Sequence, residues 1–178
     1  LARSRGLGDV YKRQDMRKHM GSTISSSLIR SLILDGNSSK VYDYLGRFYG
    51  FNATVVSGSN RGKKMNYPTA NFIPTFENQL LPSTGVYLTK VLLDGKSYFG
   101  MMNAGVRPTF NEKKFVMEVH ILSDKFGHLY DKNFYIEFLD KIRDEKKFDS
   151  KELLIKQIEK DKEVCIELID TFKEKYEI

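Results

Sequence analysis

The chain has 178 residues, of which 40% are apolar, including 12 Phe and 10 Tyr, so it is long enough for one domain, or for one domain plus a fragment, and it can build a core. No apolar run approaches the roughly 18 residues of a membrane helix, no secretory leader is recognisable, and the single cysteine, Cys165, excludes an internal disulfide. These features predict a reducing, cytoplasmic setting with no membrane partner.

The formal net charge of +6 lies mainly at the start of the chain. Residues 1–20 carry six Lys or Arg against two Asp, and the rest carries 23 basic and 21 acidic side chains. A domain whose basic and acidic side chains are so nearly equal in number lacks the basic surface of a dedicated nucleic-acid binder, and no nucleic-acid partner is predicted. Residues 1–20 have no helical or strand periodicity, and we interpret them as a disordered or non-native leader, with a basic targeting arm as the alternative.

Two short helices are predicted next. Leu28 and Leu32 lie on one helical stripe, and Gly36 marks its end. A second helix is predicted over residues 38–45, ending at Gly46. Residues 21–46 therefore form a helical segment that is too short to be a domain.

The pattern after Gly50 is typical of β-structure. Strands are predicted over residues 51–56, 69–75, 115–122 and 133–139, and a hairpin over residues 85–103 turns at Asp94–Gly95, a dipeptide that type I′ turns prefer. About six strands without intervening helices indicate an antiparallel sheet, and closure into a barrel would remove its edges.

The clearest helix is predicted over residues 149–176. Asp149 and Glu152 fit a capping box, and the apolar stripe at helical spacing consists of Leu154, Ile158, Cys165, Leu168, Ile169, Phe172 and Tyr176. Asp161 interrupts this stripe. We predict that it pairs with Arg143, which precedes the helix.

The segment "SGSNRGKKMNYPTAN" offers candidate phosphate and metal ligands. Its glycines and cations are Gly58, Arg61, Gly62, Lys63 and Lys64. Such loops admit phosphate oxygens to backbone N–H groups, although most are simple turns, and the Walker spacing is absent. If the chain is extended after Pro68, Thr69 and Asn71 point to one face, with oxygens suited to Mg²⁺ beside substrate phosphates; the alternative is a strand with polar residues facing solvent.

The segment "FVMEVHIL" contains a candidate general base. Met117 and Val119 face one side of the predicted strand, whereas Glu118 and His120 face the other. Such a glutamate usually faces solvent, but in a pocket it would accept a proton from a substrate hydroxyl. In the preceding "NAGVRPTF", Asn103, Gly105 and Arg107 are predicted to lie in a loop between strands, with Arg107 within reach of an anion. The three histidines and one cysteine form no recognisable metal or nucleophile constellation.

Residues 46–161 resemble the riboflavin kinase module of the bacterial bifunctional riboflavin kinase/FMN adenylyltransferase (FAD synthetase) family. The resemblance rests on ordered motifs, among them "YPTANF", "LLPSTGVYL", "NAGVRPTF", "MEVHIL" and "LYDKNFYIEF". Lys63, Asn66 and Tyr67 stand where the family commonly has Arg, Gly and Phe. The family implies a mainly β fold, a six-stranded antiparallel Greek-key barrel with a long C-terminal helix, and the reaction of riboflavin with ATP to give FMN and ADP.

The resemblance also implies roles for individual residues. Glu118 matches the general base, and Thr69 and Asn71 match ligands of Mg²⁺ and of the ATP phosphates. The implied phosphate-binding residues are Gly58, Arg61, Gly62, Lys63, Lys64 and Pro68, together with Thr69 and Asn71. The implied flavin-binding residues are Asn103, Gly105, Arg107, Pro108, Thr109, Arg143 and Phe148.

The helical segment before the barrel carries a second resemblance. "ISSSLIR" is similar to the last motif of the family's adenylyltransferase half, with Ser25, Ser26, Ser27 and Arg30 at its phosphate-contacting positions. The implied division is a leader (1–20), an adenylyltransferase remnant (21–46) and a riboflavin kinase domain (47–178), with the remainder of the adenylyltransferase domain in a longer parent chain. FMN adenylylation is not expected from this chain alone. The alternatives are a non-catalytic flavin-binding barrel and an oligonucleotide-binding barrel, and the near-neutral charge beyond the leader argues against the latter.

Overall fold

The computed structural model describes residues 18–19, 22–57, 67–108, 113–123 and 132–176. Six of the described strands close an antiparallel barrel: β3 (Tyr49–Val56), β4 (Ala70–Pro74), β5 (Gly85–Leu93), β6 (Lys96–Pro108), β7 (Lys113–Ile121) and β8 (Asn133–Arg143). They neighbour one another in the order β3-β4-β7-β6-β5-β8. Because β8 returns to lie beside β5 after the consecutive β5, β6 and β7, the predicted Greek-key barrel is confirmed.

The remaining elements lie before and after the barrel. A two-stranded pair, β1 (Lys18–His19) and β2 (Ser22–Thr23), is followed by α1 (Ser26–Leu34) and α2 (Ser38–Leu45), and α3 (Lys151–Tyr176) follows the barrel. β1 lies within the segment interpreted as a leader, and the domain division stays a prediction. In the described part of the chain, no helix has both the length and the apolar character needed to cross a membrane.

The barrel interior is filled by alternate side chains of its strands. The largest of these include Phe72, Tyr87, Met102, Ile136 and Phe138, each at most 2% exposed. On β7 the inward residues are Met117, Val119 and Ile121, as the alternation predicted. Glu118 and His120 therefore point out of the barrel.

The strand turns and helix ends follow local sequence signals. Asp94 and Gly95 both have positive φ, at 49° and 74°, the combination that a type I′ hairpin requires. Gly46 ends α2 in the left-handed conformation, which costs glycine little.

Helix α3 packs on the outside of the barrel. Its Cys165 and Phe172 lie in a second apolar cluster with Phe48, Val86, Leu88, Met101 and Leu139. The predicted apolar stripe is thus confirmed as a packing face. The predicted capping box is wrong by one residue, because the hydroxyl of Ser150 accepts a hydrogen bond from the Leu153 N–H at 3.2 Å and the helix begins at Lys151.

A second correction concerns the predicted loop at residues 103–107. Asn103, Gly105 and Arg107 belong to β6, which pairs with β7 without interruption as far as Pro108. The backbone here finds hydrogen-bond partners on β7, and this tertiary pairing overrides the turn preference of glycine and proline. The predicted strand over residues 69–75 is shorter at both ends, so Thr69 lies immediately before β4.

Candidate active site

Three polar side chains form a row on the outer surface of the barrel. Asn71 on β4 pairs in register with Glu118 on β7, which in turn pairs with Asn103 on β6. Directly opposed residues of neighbouring strands project to the same face. Glu118 and Asn103 line a cavity of about 580 Å³ between this face, residues 145–150 and the start of α3.

The carboxylate of Glu118 receives two donors at the floor of this cavity. The Thr69 hydroxyl donates to Oε2 at 3.0 Å, and Nη2 of Arg107 donates to Oε1 at 3.1 Å. The Glu118 side chain is 19% exposed. Because a carboxylate has about four lone-pair positions, Glu118 can accept a further hydrogen bond from a molecule in the cavity.

His120 lies two residues beyond Glu118 on the same face. Its Nδ1 is 2.8 Å from the carbonyl oxygen of Pro68, and because a carbonyl only accepts, Nδ1 is the donor. The Tyr67 ring meets the imidazole edge-on, with centroids 5.5 Å apart. Burial is the main cause that lowers the pKa of His120; the charge of Lys162 adds to it, and the bond to Pro68 opposes it.

The opposite wall is formed by residues 145–150 and the first turns of α3. Phe148, Leu154 and Ile158 give this wall an apolar surface. A Cβ atom added to Gly105 would lie 2.5 Å from Oε1 of Glu145. The missing side chain at Gly105 therefore leaves room for the Glu145 carboxylate beside β6.

An ion pair between Arg143 and Asp161 anchors that wall. Arg143 donates through Nε at 2.9 and 3.0 Å and through Nη2 at 2.7 Å to the Asp161 carboxylate, which confirms the predicted pairing. Gln157 donates to the same carboxylate at 2.8 Å. Arg143 also donates to the Asp144 carbonyl at 2.9 Å, and its guanidinium lies 5.8 Å from the Phe148 ring centroid. Barrel, connecting segment and helix are thus joined at one buried point.

The structure brings together part of the predicted site. The predicted residues that line the cavity are Thr69, Asn103, Arg107, Glu118, Arg143 and Phe148. Asn71 is buried beside Glu118, Pro68 contributes its carbonyl, and Gly105 and Pro108 contribute backbone of β6. The predicted Gly58, Arg61, Gly62, Lys63, Lys64 and Thr109 lie outside the described residues.

The predicted adenylyltransferase residues lie elsewhere. Ser25 caps α1 by accepting from the Leu28 N–H at 3.2 Å, and Ser25, Ser26 and Arg30 line a second cavity of about 600 Å³. Ser27 is exposed on the first turn of α1. Among the residues that the structure describes, no residue lines both cavities.

Some residues of the main cavity were missed as site residues. Tyr67 and His120 line it, as do Leu154 and Ile158. His120 was detectable, because the two-residue period of a strand places it on the face of Glu118. The two aliphatic residues belong to the α3 stripe, and an apolar stripe does not reveal whether it meets a core or a cavity.

The donor chemistry of the site suits a hard cation. The described residues contain no cluster of three or more His, Cys, Asp or Glu. The side chains gathered at Glu118 instead offer hydroxyl, amide and carboxylate oxygens. Mg²⁺ prefers such oxygens and completes its shell with water and substrate phosphates, so Thr69 and Asn71 fit that ion.

Fold and site together define a closed antiparallel barrel with a small-molecule-sized cavity on its outer face. Residues 45–169 match the family model described as "Flavokinase: Riboflavin kinase", and the chain belongs to the riboflavin kinase family. It is 36% identical over 146 residues to the bifunctional riboflavin kinase/FMN adenylyltransferase of Bacillus subtilis, covering 80% of this chain and 46% of that protein. The protein of the same name from Haemophilus influenzae is 37% identical over 143 residues, covering 80% and 46%.

The chain spans about half the length of the curated relatives it matches. Among solved structures, it is similar to the crystal structure of a macrolide-efflux protein from Streptococcus pneumoniae, with a TM-score of 0.77 and 34% identity over 84% of this chain and 49% of that one. The efflux function in that name refers to the Streptococcus protein. For this chain, the match supports the barrel fold.

Proposed function

We propose that the chain transfers the γ-phosphate of ATP to the ribityl 5′-hydroxyl of riboflavin, giving FMN and ADP. The observation that carries this proposal is the Glu118 carboxylate, held by Thr69 and placed opposite Asn71 at the floor of a cavity, in a chain of the riboflavin kinase family. The proposal covers phosphoryl transfer alone. The adenylyltransferase activity in the relatives' names belongs to those proteins.

Glu118 acts as the general base. Its carboxylate accepts the proton of the 5′-hydroxyl as that oxygen forms a bond to the γ-phosphorus and the bond from phosphorus to the ADP oxygen breaks. The hydrogen bonds from Thr69 and Arg107 fix the orientation of the carboxylate. Since phosphoryl transfer asks little covalent work of a protein, alignment of the attacking oxygen is the main task of this side chain.

Thr69 and Asn71 provide the oxygen ligands for Mg²⁺ in this proposal. When bound with ATP, the ion neutralises charge on the phosphate oxygens. The Thr69 hydroxyl donates a hydrogen bond to Glu118, which leaves its oxygen lone pairs free to act as a ligand. The glycine-containing segment over residues 58–64 is proposed to contact the phosphates on the basis of its sequence.

The cavity supplies the flavin site. The cavity volume of about 580 Å³ lies within the roughly 300–1,000 Å³ typical of small-molecule sites. Phe148, Leu154 and Ile158 offer apolar surface to the isoalloxazine ring, while Asn103 offers an amide for hydrogen bonding. Arg143 supports this wall through Asp161 and Phe148.

A transfer assay with γ-labelled ATP, riboflavin and Mg²⁺ tests the proposal. Wild-type protein is expected to form labelled FMN, and Glu118→Gln is expected to lower turnover by about 10²–10⁴-fold while flavin affinity, followed by fluorescence quenching, changes little. Glu137→Gln on β8 is the matched control, because Glu137 is half-buried but does not line the cavity. Unchanged turnover in Glu118→Gln would remove Glu118 from the role of base.

A non-catalytic flavin-binding barrel is the second candidate. The ion pair with Arg107 favours it, because that contact already occupies one oxygen of the Glu118 carboxylate. A carrier would bind FMN and transfer no label in the same assay. The absence of labelled FMN with wild-type protein, combined with measurable flavin binding, would therefore favour the carrier over the kinase.

A further inference from the structure

Among the described residues, the ladder between β4 and β7 ends at Ala70, one residue after Thr69. The β4–β7 ladder runs over the pairs Phe72↔Met117, Asn71↔Glu118 and Ala70↔Val119, and Thr69 lies beyond its end. Pro68 has no N–H group, so this position cannot donate a ladder bond. Side-chain contacts are therefore an additional restraint on the segment that presents the Thr69 hydroxyl.

Two side chains of β7 provide this restraint. Nδ1 of His120 donates to the Pro68 carbonyl at 2.8 Å, and Oε2 of Glu118 accepts from the Thr69 hydroxyl at 3.0 Å. One contact is made to the Pro68 carbonyl and the other to the side chain of the next residue, Thr69. Because Glu118 and His120 are two residues apart on one strand, a single rigid element sets both contacts.

The imidazole is itself fixed in place. The edge of Tyr67 packs on it, and His120 is half-buried at the border of the cavity. Holding the carbonyl requires the proton on Nδ1, which leaves Nε2 without a proton in the neutral ring. The observed contact thus involves one nitrogen of the ring, and a side chain that reproduces only that nitrogen is a direct probe.

We propose that His120 is a positioning residue, which fixes the Pro68 carbonyl so that the Thr69 hydroxyl stays on Glu118 with its lone pairs available to the nucleotide-bound cation. This inference rests on the proposed kinase function. It assigns His120 no contact with riboflavin and no transfer of a proton. Its effect is therefore expected in the affinity for Mg²⁺ and nucleotide and in turnover, while the affinity for flavin is unaffected.

Two substitutions separate the ring nitrogens. The amide nitrogen of asparagine reaches the position of Nδ1, whereas that of glutamine reaches the position of Nε2. We expect His120→Asn to stay within about threefold of wild type and His120→Gln to lose about 10–100-fold in Mg²⁺·ADP affinity and in kcat, the range found when a group that orients a metal ligand is removed. The KM for riboflavin should be unchanged in both variants.

Calorimetric titration with Mg²⁺ and ADP measures binding without relying on turnover, and melting temperatures report whether each variant is folded. Equal losses in both variants, or a loss in His120→Asn alone, would overturn the inference. In wild-type protein, ¹⁵N shifts of labelled histidine should report the Nδ1–H tautomer for His120, and the Nε2–H tautomer would also overturn it. If wild-type protein binds Mg²⁺·ADP but transfers no phosphate, the kinase proposal fails while the positioning inference is still decided by these measurements.

Discussion

Replacing Asp161 with alanine removes a carboxylate that is 3% exposed and receives hydrogen bonds from Arg143 and Gln157. The Arg143 side chain, 15% exposed, would keep its contacts with Asp144 and Phe148 but lose its counter-charge. Breaking a buried pair from one side costs about 3–5 kcal/mol. At 2–4 °C per kcal/mol for a chain of this size, the melting temperature should fall by about 6–20 °C.

A double-mutant cycle measured by thermal or urea unfolding tests this reasoning. In an Arg143→Ala background the Asp161→Ala change should cost about 0.5–3 kcal/mol less, because its main partner is already absent. Lys132 and Asp94 form the matched control, since their N–O distance is also 2.7 Å but their side chains are 45% and 67% exposed. Lys132→Ala should cost at most about 1 kcal/mol. Additive effects in the cycle, or an equal loss for Lys132→Ala, would refute the argument.

Three further outcomes are expected. Burial raises the pKa of the Cys165 thiol to about 12, so a thiol reagent at pH 8 should label this single cysteine only as fast as the protein unfolds, and rapid labelling of folded protein would contradict its burial. Burial also raises the pKa of Glu137 above its usual 4.5. The folded state is therefore fully stable with respect to this group below pH 4.5, and it loses stability as the pH rises through the raised pKa and the buried carboxyl ionises. Glu137→Gln should consequently melt at a higher temperature than wild type at pH 7, and the difference should shrink toward pH 4.5. Gly100→Ala should lower the free energy of unfolding by about 1–3 kcal/mol, because its Cβ would lie 2.7 Å from Cγ2 of buried Val119. Gly105→Ala should lower it less, because the added Cβ meets the far end of the exposed Glu145 side chain. Equal unfolding free energies for the two variants would count against this distinction.

Much of the fold was predictable because its signals are local. The Asp94–Gly95 turn, the inward and outward faces of β7 and the packing stripe of α3 each follow from a few neighbouring residues. The Arg143–Asp161 pair was predictable for a similar reason, since a charge inside an apolar stripe requires a partner.

The errors arise where a distant partner decides the outcome. The pairing of β6 with β7 extends the strand through Gly105 to Pro108, and the neighbouring residues in the sequence do not predict that pairing. Asp149 and Ser150 are both good cap residues, so the sequence alone does not choose between them. The outward orientation of the candidate site depends on closure of the barrel, which only the complete strand order reveals.

Because side chains fill the barrel interior, the shape of the outer cavity can change without a change in the core. Phe72, Tyr87 and Met102 fill the barrel interior, and the cavity that Glu118 lines lies in an outer groove with two independently built sides. One side is the sheet that carries the Glu118 carboxylate, and the other is a connecting segment and helix joined to the barrel through Arg143. Exchanging only the connecting segment and the first turns of α3 for those of a relative should change the shape of this groove while the contacts of Glu118 with Thr69 and Arg107 stay in place.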